Sequence, residues 1–245
     1  MRQVHAAYVI AKKDAVVYYL KPPVISFGLI FPLFFYLAFA TGRDLPTEAM
    51  VPGIVAMALF FTASAVGPLI TPWERQARTW ERLATSPASL WAIIAGDVMA
   101  GMAFGIMFCL LPLGFGTLLL GAVVVDSAHL GLGIGLGALA FATLGVFVAA
   151  PVTSTPSQVM MISNLIRLPL IFVSGVFLPL ASLAPWGRWL APFSPLSYGA
   201  DLIRVGFGGA SYFGPSVDVT ALLVFSGSFL ILTRATHWVT RARIR

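Results

Sequence analysis

The sequence predicts an all-helical membrane protein with six transmembrane helices, and three observations carry that expectation. Hydrophobic residues make up 59% of the 245 positions and charged residues only 10%, with a mean hydropathy of +0.93, which lies outside the range of soluble domains. Six apolar runs are long enough to span a bilayer, which takes roughly 20 residues of helix each. The basic residues sit at the edges of these runs rather than along one polar stripe, so the net charge of +6 reads as membrane orientation and argues against nucleic acid as a partner. A single membrane domain over residues 1–245 is expected.

The elements follow in order. "VHAAYVIAKKDAVVYYL" has the pattern of an amphipathic helix on the cytoplasmic surface, within residues 1–22, with Tyr8, Tyr18 and Tyr19 at headgroup depth. The spans are Val24 to Thr41, Met50 to Ile70, Leu90 to Leu120, Leu130 to Ala150, Gln158 to Phe177 and Val217 to Ala235. Ala38-Phe39-Ala40 has the form of a signal-cleavage site, which leaves cleavage after Ala40 as an alternative. The stretch before the first run is long for a signal's basic region, so an intact N-terminus is expected. Span three exceeds what a bilayer needs and contains Pro112, which predicts a kink or tilt. "GLGIGLG", Gly131 to Gly137, lies inside an apolar run with no strand before it. It reads as small-residue spacing for close helix approach, not as a nucleotide fingerprint. The single cysteine, Cys109, offers neither a disulfide framework nor a thiolate metal site within one chain.

Leu178 to Pro215 is apolar and aromatic, but Pro179, Pro185, Pro192 and Pro195 recur too often for one straight span. Charge counting decides its place. With six spans and a cytoplasmic N-terminus, eleven basic residues fall inside and only Arg43, Arg188 and Arg204 outside. A seventh crossing would place the C-terminal arginines outside, so this segment is read as re-entrant or surface-lying on the outer side, and both termini as cytoplasmic. Ser182 before Pro185 and Ser194 before Pro195 would open two short helices there, the second stopping near Gly206. Asp201 and Arg204, three apart, either pair locally or join segments across an outer gate. Trp186, Trp189 and Tyr198 fit an interfacial belt.

"TPWERQARTWERLATSPAS", Thr71 to Ser89, is an island of charge between spans two and three. Thr71, Pro72 and Glu74 match a capping box with proline at the first helical position, predicting a helix that ends before Pro87. Trp73 and Trp80 share one face with Ala77 and Ala84, while Glu74 with Arg78 and Arg78 with Glu81 have pairing distances on another. Either the island is a solvated turn whose arginines orient the protein, or it is a docking helix for a soluble partner, with Trp73, Glu74, Arg75, Arg78, Trp80, Glu81 and Arg82 at the contact. Within the spans, Arg167 lies about 15 Å past the start of its helix, near mid-bilayer, where a charge needs a partner or water. Asp97 in span three and Asn164 on the same span are the candidates. Arg167 either forms a structural ion pair or snorkels, or the set lines a translocation path.

The island "ERQARTWERLATSP" resembles the cytoplasmic segment of ABC type-2 exporter permeases, E-R-E-x-G-T-x-E-x-L-x-x-T-P. Glu74, Arg75, Thr79, Glu81, Leu83 and Pro87 match, while Gln76 replaces an acid and Arg78 a glycine. "SGVFLPLASLAPWGRWLAPFSPLSYGADLIR" is similar to that family's signature after the fifth span. Ser174, Gly175, Pro179, Leu183, Pro185, Trp186, Pro195, Leu196, Tyr198, Asp201 and Arg204 stand in corresponding places, and Leu178, Ala184, Ser194 and Ser197 depart conservatively. The resemblance covers essentially the whole chain. It implies a non-enzymatic permease subunit in the cell membrane, working as a homodimer with two copies of a separate ATPase that binds ATP and Mg, and carrying no cofactor of its own. The island would be the coupling helix. No G-x-x-x-x-G-K-[ST] phosphate loop occurs in this sequence. Two other classes fit the sequence less well. A secondary transporter would need inverted repeats, which are not seen. An intramembrane serine protease would need G-x-S-G, but Phe172 breaks that motif at Ser174 and the histidines lie at span edges.

Overall fold

A computed structural model of the chain describes residues 2–19, 30, 34, 47–79, 83, 86–151, 155–177 and 179–244. The first expected span, with its Ala38-Phe39-Ala40 sequence, lies outside the described residues apart from two positions, and so do Trp80, Glu81 and Arg82. Among the described residues every regular element is a helix. Five stretches are long and apolar enough to cross a membrane: Met50–Gln76, Leu90–Leu118, Ser127–Ala149, Pro156–Val173 and Pro215–Thr236.

Helix α1 (Arg2–Asp14) opens the chain and runs into a π-helical turn, Ala15–Tyr19. Its buried face is Ala7, Ile10 and Asp14, a 3,4 spacing that continues one stripe down the helix. This stripe packs on the first turns of α4 (Leu90–Leu118), where Gly96 makes room, since a Cβ there would sit 2.7 Å from Ile10 and 2.9 Å from the Ala7 carbonyl. Ser89 caps α4, its hydroxyl accepting from Ala92 N at 3.2 Å, and Pro112 is absorbed without ending the helix.

The second expected span is two helices, α2 (Thr47–Ala63) and α3 (Val66–Gln76), broken at Ser64–Ala65. The break has a cause in the sequence. Pro68 has no N–H, so the Ser64 carbonyl four residues earlier loses the donor that would continue the ladder. Immediately beyond it, α3 crosses α5 (Ser127–Ala149) backbone to backbone at Gly67 and Gly145. A side chain at Gly67 would strike the Gly145 carbonyl, and one at Gly145 the Ser64 carbonyl.

Helix α5 is the centre of the bundle, in contact with α2, α3, α4, α8 (Pro195–Gly206) and α9 (Pro215–Ile244). Phe60 and Phe141 meet edge to face at 5.1 Å in the middle of the core. Of the small residues in "GLGIGLG", Gly133 and Gly137 carry the close approach, the first against Leu202 and Ile203 of α8 and the second against Leu59, whereas Gly131 and Gly135 face open space. Helix α6 (Pro156–Val173) and the short α7 (Pro185–Leu190) lie at the side, and α6 shows Met161, Leu165 and Phe172 on its surface.

Helix α4, 29 residues and about 43 Å long, separates two polar ends. At its start are α1 and, through Trp91, the guanidinium of Arg234 on α9, 5.0 Å from the ring. Arg75 is at that end too, donating to the carbonyls of Pro151 and Ala150 after α5 at 3.1 and 3.3 Å. At the far end, Val125 N and Asp126 N donate to the Gly206 carbonyl of α8 at 2.9 and 3.0 Å. Lys13, Arg75 and Arg234 therefore gather at one end of the bundle and Arg204 at the other, the segregation that the charge count expects.

Candidate functional site

The charged island does not begin as the capping box suggested. Thr71 and Pro72 lie inside α3 and are buried, because the helix that starts at Val66 already supplies their backbone partners. Glu74 does not reach back to cap anything. It points into the bundle and is bound by Lys13 of α1, so it is not free to pair with Arg78 as the helical spacing proposed. The helix ends at Gln76, and Arg78 takes a left-handed backbone with φ of 54°. That position is where the family pattern resembled in the sequence has glycine, and a side chain held there costs about 1–2 kcal/mol. Trp73 and Arg78 are exposed, and Arg75 is half-buried against the end of α5. Leu83 is helical, and Ser86 Oγ donates to its carbonyl at 2.7 Å just before Pro87. The described part of the island is thus the tail of α3 and a sharp turn at Ala77–Arg78, not one helix capped at Thr71.

Four ionisable groups meet where this tail joins α1 and α4. Lys13 Nζ lies 2.9 Å from Asp14 and also binds Glu74, and Asp97 of α4 is buried close enough to feel the charges of all three. Asp14, Glu74 and Asp97 are all at least 96% buried, while Lys13, which binds the first two, keeps 33% of its side chain exposed. Burial pushes the Asp14 carboxyl above its usual range, partly offset by Lys13. Burial alone would lower Lys13, but Asp14 and Glu74 outweigh it and hold the ammonium protonated well above its usual range. Gln3 completes the joint at the other end of α1, donating to the Pro87 carbonyl at 3.3 Å and accepting from Ser89 N at 2.9 Å. Helix α1 therefore holds both ends of the island, Glu74 at one and Pro87 to Ser89 at the other.

Asp97 belongs to this cluster, with Asp14, Glu74 and Lys13 as the charges acting on it, and not to Arg167 as the sequence had proposed. Arg167 is buried and donates through Nη2 to the Ser64 carbonyl. The mid-span cation thus supplies the donor that Pro68 withholds. Asn164, one turn earlier, is exposed.

At the opposite end the helix expected to open at Ser182 begins at Pro185 instead, and Ser182 closes a 3₁₀ turn, Leu180–Ser182, that follows Pro179. The second helix, α8, has Pro195 as its first residue and stops at Gly206 as expected. Trp186 and Trp189 are exposed, and Tyr198 is buried with its hydroxyl donating to the Pro192 carbonyl at 3.0 Å. Asp201 and Arg204 pair locally, the first of the two readings of the sequence. They face each other at 3.6 Å, and each also ties α8 to another segment, Arg204 to the Gly175 carbonyl at 2.7 Å and Asp201 to the 211–213 loop.

With both polar ends in view, the chain can be compared with known proteins. The model of the ABC-2 type transporter family matches residues 6–207. The chain belongs to that family. Among curated proteins, it is 26% identical over 217 residues to the inner membrane transport permease YadH of Escherichia coli (strain K12), covering 87% of this chain and 84% of that protein. It is 27% identical over 168 residues to Nodulation protein J of Rhizobium leguminosarum bv. viciae, covering 64% of this chain and 61% of that protein. The match to the ABC-2 transporter family spans α1, the island and α8, so both polar ends of this multi-pass membrane protein lie largely within it.

The residues that sequence reading passed over are Gln3, Lys13, Asp14 and Asp218. For Asp14 a signal existed, because it prolongs the apolar 7, 10 stripe of an amphipathic helix, where an acid is out of place unless paired.

Proposed function

We propose that the chain is the membrane-spanning permease subunit of an ATP-driven exporter, in which two copies pair with two copies of a separate ATPase that binds ATP and Mg. The observation that carries this reading is the wiring of the charged island. The tail of α3 and the turn after it bear Trp73, Arg75 and Arg78, and α1 fastens this island to the bundle at Glu74 and again at Pro87 and Ser89. A push delivered there by a soluble partner reaches α1, α3 and α4 together, which is what coupling of ATP hydrolysis to a change of access requires. The cargo would be an amphipathic small molecule, a lipid or a lipid-linked glycan, moved outward across the cell membrane, with both termini in the cytoplasm. The α8 end, with Pro179, Trp186, Pro195, Tyr198, Asp201 and Arg204, would be the outer gate.

The test separates docking from mere orientation. Trp80→Ala keeps every charge, so insertion should survive, while loss of an aromatic anchor should weaken ATPase binding by about 2 kcal/mol. Glu81→Lys should do the same by charge reversal. Both variants are expected to yield stable, inserted protein with depleted co-purified ATPase, or with ATPase activity that no longer responds to cargo. Unchanged ATPase recovery and coupling in both would return the island to a turn that only fixes topology.

A further inference from the structure

The exposed charge at the α1 end of the bundle is of one sign. Asp14, Glu74 and Asp97, the described acids there, are all buried, whereas Lys12, Arg78 and Arg234 are exposed. No ion pair or side-chain hydrogen bond engages any of these three cations among the described residues. Arg234 is the most constrained of them. It lies in the last turn of the apolar stretch Pro215–Thr236, and its guanidinium sits 5.0 Å from the ring centre of Trp91, itself 43% exposed at the start of α4. An indole under one face of a guanidinium holds the cation by cation–π attraction and leaves its N–H edges free to donate.

The exposed surface around these cations is apolar. On α9, Ile231 and Leu232, just before Arg234, are 67% and 46% exposed. On α1 the side turned away from the bundle carries Val4, Tyr8 and Val9, each at least 50% exposed, together with Lys12. Helix α1 thus has two apolar faces, and only that of Ala7 and Ile10 is covered by α4. An apolar strip that ends in a cation and an indole fits the boundary of a bilayer, where long basic side chains reach from hydrocarbon to the headgroup phosphates and tryptophan sits at the same depth. With no exposed acid among the described residues of this end, the complementary surface is an anionic one.

We propose that the α1 end of the bundle is a docking surface for anionic phospholipid, with Arg234 on Trp91 as the site of a headgroup phosphate and Lys12, in the outward face of α1, as a second contact. The free guanidinium edge donates two parallel N–H bonds to the phosphate, and the exposed apolar side chains of α1 and α9 lie along the acyl chains. Because α1 also holds Glu74 through Lys13, and Pro87 and Ser89 through Gln3, lipid seated on its outward face steadies the island. The lipid surface belongs to this chain alone and stands whether or not the chain works with an ATPase.

The purified full chain, stripped of lipid in detergent, is offered equal amounts of phosphatidylglycerol and phosphatidylcholine, and the lipid it retains is counted by native mass spectrometry. The wild type should prefer phosphatidylglycerol by about 10-fold or more, and Arg234→Gln and Lys12→Gln should each lower that preference about 5-fold, the effect of one basic side chain at an anionic surface. Trp91→Leu leaves every charge in place and should still lower it about 3-fold, because the guanidinium loses its platform. Hydrogen exchange of residues 2–14 in nanodiscs should slow when phosphatidylglycerol is mixed into phosphatidylcholine, and should not slow when Lys12→Gln and Arg234→Gln are combined. Inorganic phosphate at matched ionic strength should not displace the lipid. A wild type without preference, or a preference untouched by Arg234→Gln and Lys12→Gln, overturns the surface. Full preference in Trp91→Leu, or displacement by inorganic phosphate, overturns the phosphate site. If Trp91→Leu does not fold, Arg234→Lys decides in its place, since it keeps the charge and loses the planar edge, and full preference in that variant is equally contradictory.

Discussion

Lys13→Met should destabilise the chain by about 3 kcal/mol, the lower part of the range for removing one partner from a buried ion pair, because Lys13 itself keeps 33% of its side chain exposed. The loss comes less from the attraction removed than from what is left behind. Asp14, Glu74 and Asp97 would remain buried without their cation. For a chain of this size the melting temperature in detergent should fall by roughly 6–12 °C. The variant should recover as pH falls, and the sign can be worked through. Burial raises the Asp14 carboxyl in the folded state, so the folded chain binds more protons than the unfolded one, and stability rises on acidification. Without Lys13 that rise becomes steeper, so the deficit should be largest near pH 8 and shrink toward about pH 5. Glu74→Gln in the same background should restore much of the loss. A deficit that neither acid nor Glu74→Gln reduces would mean that Lys13 acts through packing alone.

Arg167→Met is expected to cost about 2–3 kcal/mol, because it strips a charged hydrogen bond from a carbonyl that has no other helical donor. The reason that carbonyl is free lies four residues on, at Pro68, which makes the account testable as a double-mutant cycle. Pro68→Ala restores an N–H beneath the Ser64 carbonyl and should be close to neutral alone. Combined with Arg167→Met it should recover at least about 1 kcal/mol, a coupling well above the additivity of distant sites. Strict additivity would remove the link between proline and arginine. A variant at residue 167 that melts like the wild type but no longer exports would instead assign Arg167 to a translocation path.

Much of the architecture is readable from the sequence because bilayer spans are written in composition. The start of α4 after Ser89, the extent of α8 from Pro195 to Gly206 and the end of α5 at Ala149 fall where hydropathy and capping place them, whereas α6 stops at Val173, short of Phe177, and α9 runs on past Ala235 to Ile244. The island was read in the wrong frame for a physical reason. A threonine followed by proline looks like a helix start, but a break caused by Pro68 had already started α3 five residues earlier, and Pro72 is carried inside that helix. Side-chain partners were less legible. Arg167 looked for an acid because sequence shows charges and hides carbonyls, whereas a backbone group orphaned by proline is as demanding a partner. Asp97 was assigned across the bilayer when its partners came from α1, an element whose docking site depends on Gly96 and is invisible until the helices are packed. Asp218 sits at a span's first turn, where an acid is ordinary, and only its burial sets it apart.

The central claim is that this ABC-2 family chain works as a permease paired with a separate ATPase, and the most direct measurement is the composition of the wild-type assembly. Native mass spectrometry of the chain, extracted in mild detergent with its cellular partners, should show two copies of it with two copies of an ATP-hydrolysing subunit, and the same assembly in vesicles should move cargo only with ATP and Mg. An intact, folded chain that carries no ATPase and moves cargo on an ion gradient alone would contradict the account and leave a secondary transporter in its place.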